Sequence, residues 1–187
     1  MELEEAIVRE HGRLILGTLV LITALLLGTG SVAAKVSKIP ITGTMTLDPK
    51  GPYFEGYRVW DRGGQHHVRG EEMQLLVDST PDWMDGTMAV VMNVNFDILG
   101  PWYFAGPMNG TFVLTASNAC GEGTWEGTWQ GYLYPDGTMT TSSVGHGTGA
   151  FEGTKAKMDT FYPMSPFFGG VGEMTGEILD PHGVCPQ

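Results

Sequence analysis

Apolar and polar residues alternate along most of the chain after residue 35. In the clearest segment, residues 87–97, the residues that share one side are Met88, Val90, Met92, Val94 and Phe96. Because successive side chains of a strand point to opposite faces, this period of two predicts a strand with one buried face. The same reading predicts strands over 41–47, 53–60, 66–69, 73–77, 87–97, 108–114, 124–133, 138–144, 154–159 and 174–178.

No segment after residue 35 carries a sustained helical stripe, so the predicted fold class is all-β. Glycine alternates with bulky residues inside several of the strands, as at Trp125, Gly127 and Trp129. Glycine weakens a strand, but it lets a sheet coil sharply and leaves room for neighbouring rings. A closed sheet also removes exposed edges. We therefore expect a small antiparallel up-and-down β-barrel of about eight to ten strands.

A glycine-rich run occurs twice, as GEGTWEGT from residue 121 and GTGAFEGT from residue 147. The two copies lie 26 residues apart, which is the length of a hairpin-sized unit. In the second copy Phe151 occupies the position of inward-facing Trp125, and Thr154 is also expected to face inward. Residues three apart in a regular strand point to opposite faces, so the two expectations conflict. A β-bulge near residues 152–153 would reconcile the two.

The second copy, which enters a strand of an all-β chain with a hydrophobic leader, resembles the glycine-rich signature of the superfamily of allene oxide cyclases and dirigent proteins. The resemblance covers the run at residues 145–158 and its flanking hairpin. It implies an eight-stranded barrel with an apolar interior that hosts cyclisation or stereochemical guidance of a reaction. None of the functional residues of those families is matched to a position here.

The leader spans residues 1–34, and its residues 14–34 carry no charge. We expect a hydrophobic helix there. The dense apolar part, residues 14–27, has the length of a signal-peptide core, and the small residues Ala33 and Ala34 offer a cleavage site. The uncharged run is also long enough to tether the chain to a membrane without cleavage. Either alternative places the domain of residues 35–187 outside the cytoplasm, secreted or periplasmic.

Cys120 and Cys185 are the two cysteines of the chain. In an oxidising compartment a pair of cysteines defaults to a disulfide. In an up-and-down order, the loop with Cys120 and the tail with Cys185 lie at the same end of the barrel, so the bond is geometrically allowed. The net charge of −11 argues against nucleic acid as a partner, because an acidic domain repels phosphate backbones.

Several further residues are of types that can bind metal, transfer protons or carry a glycan. His146 and His182 fall at one predicted end, but their spacing is not that of a metal site, and we expect neither metal nor cofactor. Glu126 and Glu152 hold equivalent repeat positions, and a solvated outer face explains them better than acid–base work. His66 and His67 are adjacent on a strand and so point to opposite faces. Asn109 begins an N-glycosylation sequon, which matters only in a eukaryotic secretory pathway.

Two loops are more apolar than connectors usually are, over residues 98–104 and 161–168. The up-and-down order places the loops 98–107 and 162–170 at one end, opposite the cysteines. An exposed aromatic cluster there favours a ligand-binding mouth or a docking surface, unless the loops fold over and plug the barrel. The candidate ligand contacts are Trp102, Tyr103, Phe104, Phe167 and Phe168.

Three functions fit these patterns. The first is an extracytoplasmic β-barrel that binds an apolar small molecule through the aromatic loop end. The second is a cyclase or isomerase of the allene oxide cyclase and dirigent type, which requires a charged or hydroxyl group facing the interior. The third is a non-enzymatic subunit of a secreted or membrane-associated assembly that uses the same loops to contact a partner protein. The sequence leaves open whether the protein is an enzyme.

Overall fold

The computed structural model describes residues 36–51, 53–55, 57–100, 103–118, 120–180 and 183. Within them lie ten strands: β1 (Ser37–Leu47), β2 (Tyr53–Glu55), β3 (Arg58–Arg62), β4 (Gln65–Thr80), β5 (Gly86–Gly100), β6 (Tyr103–Asn118), β7 (Gly121–Leu133), β8 (Met139–Gly149), β9 (Lys155–Tyr162) and β10 (Gly172–Asp180). Two single 3₁₀ turns, Asp82–Met84 and Pro166–Phe168, complete the described elements. The all-β prediction is confirmed for this part of the chain.

The predicted leader and its hydrophobic helix, residues 1–34, lie outside the described residues. Among the residues that the structure describes, no helix is both long and apolar enough to cross a bilayer.

The strands form a barrel-like ring. Strands β4 to β10 pair antiparallel in chain order, and β1 pairs with β10 along one edge and with β4 along the other. Eight strands therefore complete the ring, while β2 and β3 pair with the part of β4 that β1 does not reach. The antiparallel order matches the expectation, except that β1 is inserted between the last strand and β4.

The predicted alternation holds strand by strand. All five apolar residues of the β5 pattern are buried, and β9 alternates buried and exposed residues along its whole length. The interior of the ring is filled by side chains that include Ile41, Met73, Leu75, Phe112, Leu114, Trp125, Met158, Met174 and Ile178. Burial of this apolar surface is the main force that holds the ring closed.

Glycines inside the strands allow close approach, as the pattern predicted for Gly127. Gly145 lies beyond the strand predicted over 138–144, and the structure extends that strand to Gly149. A β-carbon on Gly145 would lie 2.8 Å from the Cζ atom of Phe112, so this glycine makes room for the phenyl group of Phe112. A β-carbon on Gly127 would overlap the carbonyl oxygen of Val144 and lie 2.7 Å from the Cα atom of Gly145. Here the obstacle is backbone of the neighbouring strand, which cannot rotate away.

The predicted bulge near residues 152–153 is wrong. Strand β8 runs to Gly149, and residues 150–153 form the turn that leads to β9. In this turn the amide of Phe151 donates to the carbonyl oxygen of Thr148 at 3.1 Å, and the Phe151 ring packs on Trp125 with 5.3 Å between centroids. The inward positions of Phe151 and Thr154 are nevertheless confirmed, since both are buried. A turn changes the parity between two strands without any bulge.

The two ends of the ring carry the loops as predicted. Cys120 lies between β6 and β7, at the end where β10 finishes at Asp180. Cys120 is not a free thiol. Cys185 lies outside the described residues, so its pairing with Cys120 stays a prediction.

We expect Gly127→Ala to lower the free energy of unfolding by about 1–3 kcal/mol, because the new methyl group meets backbone atoms of β8. Urea denaturation followed by circular dichroism measures this change. The control is Thr128→Ser on the exposed face of the same strand, which should change stability by less than about 0.5 kcal/mol. Equal stabilities of the two variants would contradict the role given to Gly127.

Candidate functional site: the mouth cavity

A cavity of about 460 Å³ opens at the end of the ring opposite Cys120, and we call it the mouth cavity. One wall comes from β4, β5 and β6, and the opposite wall from the β7–β8 hairpin and the β9–β10 loop. Its apolar lining consists of Val68, Met92, Val94, Phe96, Phe104, Leu133, Met164, Phe167 and Phe168, together with the rings of Tyr134 and Pro135. Its ionisable lining consists of His66, Glu71 and Asp136.

Three of the five predicted contact residues meet at this cavity. Phe104, Phe167 and Phe168 line it, and Phe168 is 63% exposed at the rim. Trp102 lies outside the described residues. Tyr103 begins β6, but its side chain lies outside the description as well. The start of β6 and the loop before β10 thus lie at the same end of the ring, as expected. The predicted loop 98–107 is mostly strand, because β5 runs to Gly100 and β6 begins at Tyr103.

The β9–β10 loop both plugs the ring and shapes the mouth. The amide of Ser165 donates to the carbonyl oxygen of Gly137 at 2.9 Å, which ties this loop to the β7–β8 hairpin. Pro166 is buried, and Phe167 lines both the mouth cavity and a smaller cavity below it. The plug expected from folded-over loops therefore exists, but it forms the floor of the mouth and does not cover it.

The smaller cavity below Phe167 has a volume of about 40 Å³ and lies inside the ring. Methionines, Thr141, Ser143 and Tyr162 line it. The Tyr162 hydroxyl donates to the Sδ atom of Met45 at 3.7 Å, and burial raises the pKa of this tyrosine well above its ordinary value. This space holds little more than one water molecule, so it is too small for an organic ligand.

A β-bulge in β4 turns Glu71 into the mouth. Arg69 pairs with Asn93 of β5, and Glu71 pairs with Met92, so two steps along β4 match one step along β5. The extra residue is Gly70, which has a φ of +74°. The Gly70 amide donates to the Oδ1 atom of Asn93 at 3.1 Å, which satisfies the extra backbone group. The bulge changes parity, so that Val68 before it and Glu71 after it both face the cavity.

Glu71 is 8% exposed, and no hydrogen bond from the residues that the structure describes reaches its carboxyl group, whose oxygen atoms keep some contact with solvent through the cavity. Burial removes water from this carboxyl and raises its pKa, and the nearby His66 opposes the change. Glu71 thus favours the protonated form more than an exposed glutamate does. A group in this state can donate a hydrogen bond to a ligand or exchange a proton with it.

His66 is the second polar group of the mouth cavity. Its Nδ1 atom lies 2.8 Å from the Oδ1 atom of Asp61, and its ring lies 5.0 Å from that of Phe104. His67 faces the other side of the sheet, where its ring stacks on Trp60 at 5.1 Å. The prediction that the two histidines point to opposite faces is confirmed. The carboxylate of Asp61 orients the imidazole of His66 beside the cavity.

The other candidate residues lie elsewhere. His146 and Glu126 are exposed, and the Thr124 hydroxyl donates to Glu126 at 3.0 Å. Glu152 is exposed in the β8–β9 turn, and Asn109 is exposed on β6. His182 lies outside the described residues. Within the described part of the chain, no three histidine, cysteine or acidic side chains are grouped as a metal site would need.

The sequence reading missed Glu71 and the pairing of His66 with Asp61. A signal for Glu71 was present, because the buried alternation of Met73, Leu75 and Val77 extends back to residue 71, and a glycine within a strand often marks a bulge. The pairing of Asp61 with His66 follows from the β3–β4 hairpin register, in which the two residues are directly opposite.

We expect Glu71→Gln to stabilise the folded protein, and the gain to grow as the pH rises. Since burial raises the folded pKa of Glu71 above its ordinary value of 4.5, the folded state holds a proton that the unfolded state has already lost. The contribution of Glu71 to stability therefore falls as the pH rises from the pKa of the unfolded state to the higher pKa of the folded state. Urea denaturation of both proteins from about pH 4 to about pH 8 measures the difference.

Glu72→Gln is the matched control, because Glu72 is exposed on the opposite face of β4 and the substitution removes the same charge. Its stability difference from the natural chain should vary little with pH. If Glu71→Gln and Glu72→Gln give the same pH profile, the burial assigned to Glu71 is contradicted.

Comparisons with known proteins give little beyond the geometry. No family model matches the chain, and no curated protein matches it. Among solved structures, the chain is similar to the pterocarpan synthase dirigent protein GePTS1 at 11% identity, with a TM-score of 0.42, over 81% of this chain and 93% of that chain. This TM-score is below the level that establishes a shared fold, so the family resemblance of the glycine-rich run stays a prediction.

Proposed function

We propose that this protein binds an apolar small molecule in the mouth cavity. The observation that supports the proposal most directly is the cavity itself, whose volume of about 460 Å³ lies within the range of small-molecule sites. Its lining is mostly apolar and aromatic, with two polar groups, His66 and Glu71, on the β4 wall and a third, Asp136, on the opposite wall. That combination is typical of a pocket that takes up an apolar body and orients it through one polar group.

The position of the aromatic residues supports the mouth over the interior. Phe167 is held from below by Ser165, whose Oγ atom accepts a hydrogen bond from the Phe167 amide at 3.3 Å. This contact keeps the floor of the cavity in place. Phe168 follows on the rim and is largely exposed, which leaves an apolar surface available for contact with a ligand.

We also propose that the domain works outside the cytoplasm. The uncharged leader segment 14–34 and the absence of a free thiol at Cys120 support this location. Expression with the full leader in a secreting host should deliver the domain outside the cytoplasmic membrane, with Cys120 and Cys185 joined. Non-reducing peptide mapping tests the bond, and two alkylatable thiols in the mature protein would refute this part of the proposal.

A second candidate function is acid–base catalysis at the same mouth, in line with a cyclase or isomerase. Glu71 favours it, because a buried carboxyl with a raised pKa beside a carboxylate-oriented imidazole can serve as a general acid or base. The fate of the ligand separates the two candidates. A bound molecule that is recovered unchanged after long incubation excludes catalysis, whereas conversion that Glu71→Gln abolishes without loss of binding supports it.

Binding is tested with the neutral fluorescent probe N-phenyl-1-naphthylamine. We expect saturable binding to the natural protein, and an increase of the dissociation constant by about fivefold to tenfold in Phe168→Ala, because the exposed ring loses its contact with the probe. Phe161→Ala is the control, since Phe161 is an exposed phenylalanine on the outer face of β9. Absence of saturable binding, or equal effects of the two substitutions, would contradict the proposed site.

A further inference from the structure

Acidic side chains outnumber basic ones around the mouth cavity. Its lining contains the carboxyl groups of Glu71 and Asp136, and Asp61 lies behind His66. Among the described lining residues there is no lysine or arginine. His66 is the one basic side chain of the described lining, and the carboxylate of Asp61, 2.8 Å from its Nδ1 atom, balances a positive charge on its imidazole. The electrostatic potential inside the cavity therefore favours a cation and disfavours an anion.

The nearest arginine along the chain does not neutralise Glu71. Arg69 precedes the bulge and points to the opposite face of the sheet, where its guanidinium lies 5.5 Å from the ring centre of Trp60. It donates to the carbonyl oxygens of Val68 and Val94 at 2.7 and 2.6 Å and to the Oδ1 atom of Asn95 at 2.6 Å. The bulge at Gly70 thus separates this cation from the carboxyl group that it would otherwise pair with.

Aromatic rings surround the same space. Phe96 and Phe104 stack with 6.4 Å between their centroids, and Phe167 and Phe168 face them from the β9–β10 loop. The faces of aromatic rings attract organic cations, and rings combined with a carboxylate recognise alkylammonium groups. A carboxyl group that is buried and lacks a hydrogen-bond partner adds a specific site for the ammonium nitrogen.

We propose that the mouth cavity selects apolar molecules that carry a positively charged amine, with Glu71 as the counter-ion and the phenylalanines as the walls. This inference rests on the proposed binding function and names its ligand class. A neutral ligand of the same shape leaves the Glu71 carboxyl without a partner, and an anionic ligand meets the two carboxyl groups of the lining, Glu71 and Asp136. An ammonium group provides Glu71 with a partner, and His66, whose charge Asp61 balances, is the one basic side chain of the described lining.

The test compares three probes with the same phenylbutyl body: 4-phenylbutylamine, 4-phenyl-1-butanol and 4-phenylbutyrate. Each displaces N-phenyl-1-naphthylamine from the natural protein, and calorimetry confirms the dissociation constants. We expect the amine to bind about tenfold or more tightly than the alcohol, since a hydrogen bond between charged groups in a buried site has this effect. The butyrate should bind more weakly than the alcohol.

Glu71→Gln should bring the amine and the alcohol to within about threefold of each other, whereas Glu72→Gln removes the same charge from the outer face and should keep the natural preference. Equal affinities of amine and alcohol for the natural protein, or a preference that survives Glu71→Gln, overturn the inference and leave apolar binding intact. If neither the fluorescent probe nor any of the three compounds binds, the proposed function fails together with it.

Discussion

The structure depends on how one edge of β4 is divided between partners. Residues 75–80 of β4 pair with β1 and close the ring, whereas residues 65–69 pair with β3 and extend beyond it. Along its other edge, β4 pairs with β5 over nearly its whole length. A strand of 16 residues therefore serves both as the closing member of the ring and as a raised wall at one end. The mouth cavity exists because this wall has no counterpart of equal height on the opposite side.

The bulge at Gly70 lies between the two parts of β4. In the part of β4 that closes the ring, the odd-numbered residues face the core, and Met73, Leu75 and Val77 are buried there. On the wall side, the hairpin with β3 imposes the opposite parity, and His66 and Val68 face inward. One extra residue is needed to join the two registers. Glycine suits this position because its φ of +74° is unfavourable for other residues.

Joining the registers places an acidic residue where an apolar one would be more stable. A carboxyl group that leaves water without gaining a hydrogen bond destabilises the folded state. Glu71 is not alone in lacking a partner, since the indole Nε1 atoms of Trp125 and Trp129 in β7 are also buried without one, whereas the hydroxyl of Ser79 donates to Asp85 at 2.9 Å. Glu71 differs from the two indole groups because it is ionisable and lines the mouth cavity, where a ligand can supply the missing partner.

Much of the fold was predictable, because it depends on short-range pattern. The alternation of β5 and β9 and the glycine at position 127 follow from period two, and the two aromatic segments meet at one end because consecutive strands are antiparallel. The glycines at 145–149 were not predicted to lie in a strand, yet they continue β8 to Gly149. The parity change after Phe151 was detected, but the sequence could not distinguish a turn from a bulge, since both shift the count by one. The pairing of β1 with both β4 and β10 joins residues far apart in the chain, and no local pattern encodes it.

The candidate site divides along the same line. Phe167 and Phe168 were predictable because apolar loops contradict the usual solvation of connectors. The same interpretation placed Phe104 at the mouth, although Phe104 lies on β6 and not in a loop. Glu71 was not recognised, because its inward direction depends on which of two registers β4 follows at that residue, and tertiary pairing on both edges decides it. Within one strand, the inward-facing residues can change from even to odd positions at a glycine. A polar residue next to that glycine is therefore a better signal for a functional group than its residue type alone. In this ring the glycine that shifts the register of β4 precedes Glu71 directly, so the same backbone step that joins the two registers sets the direction of the carboxyl group.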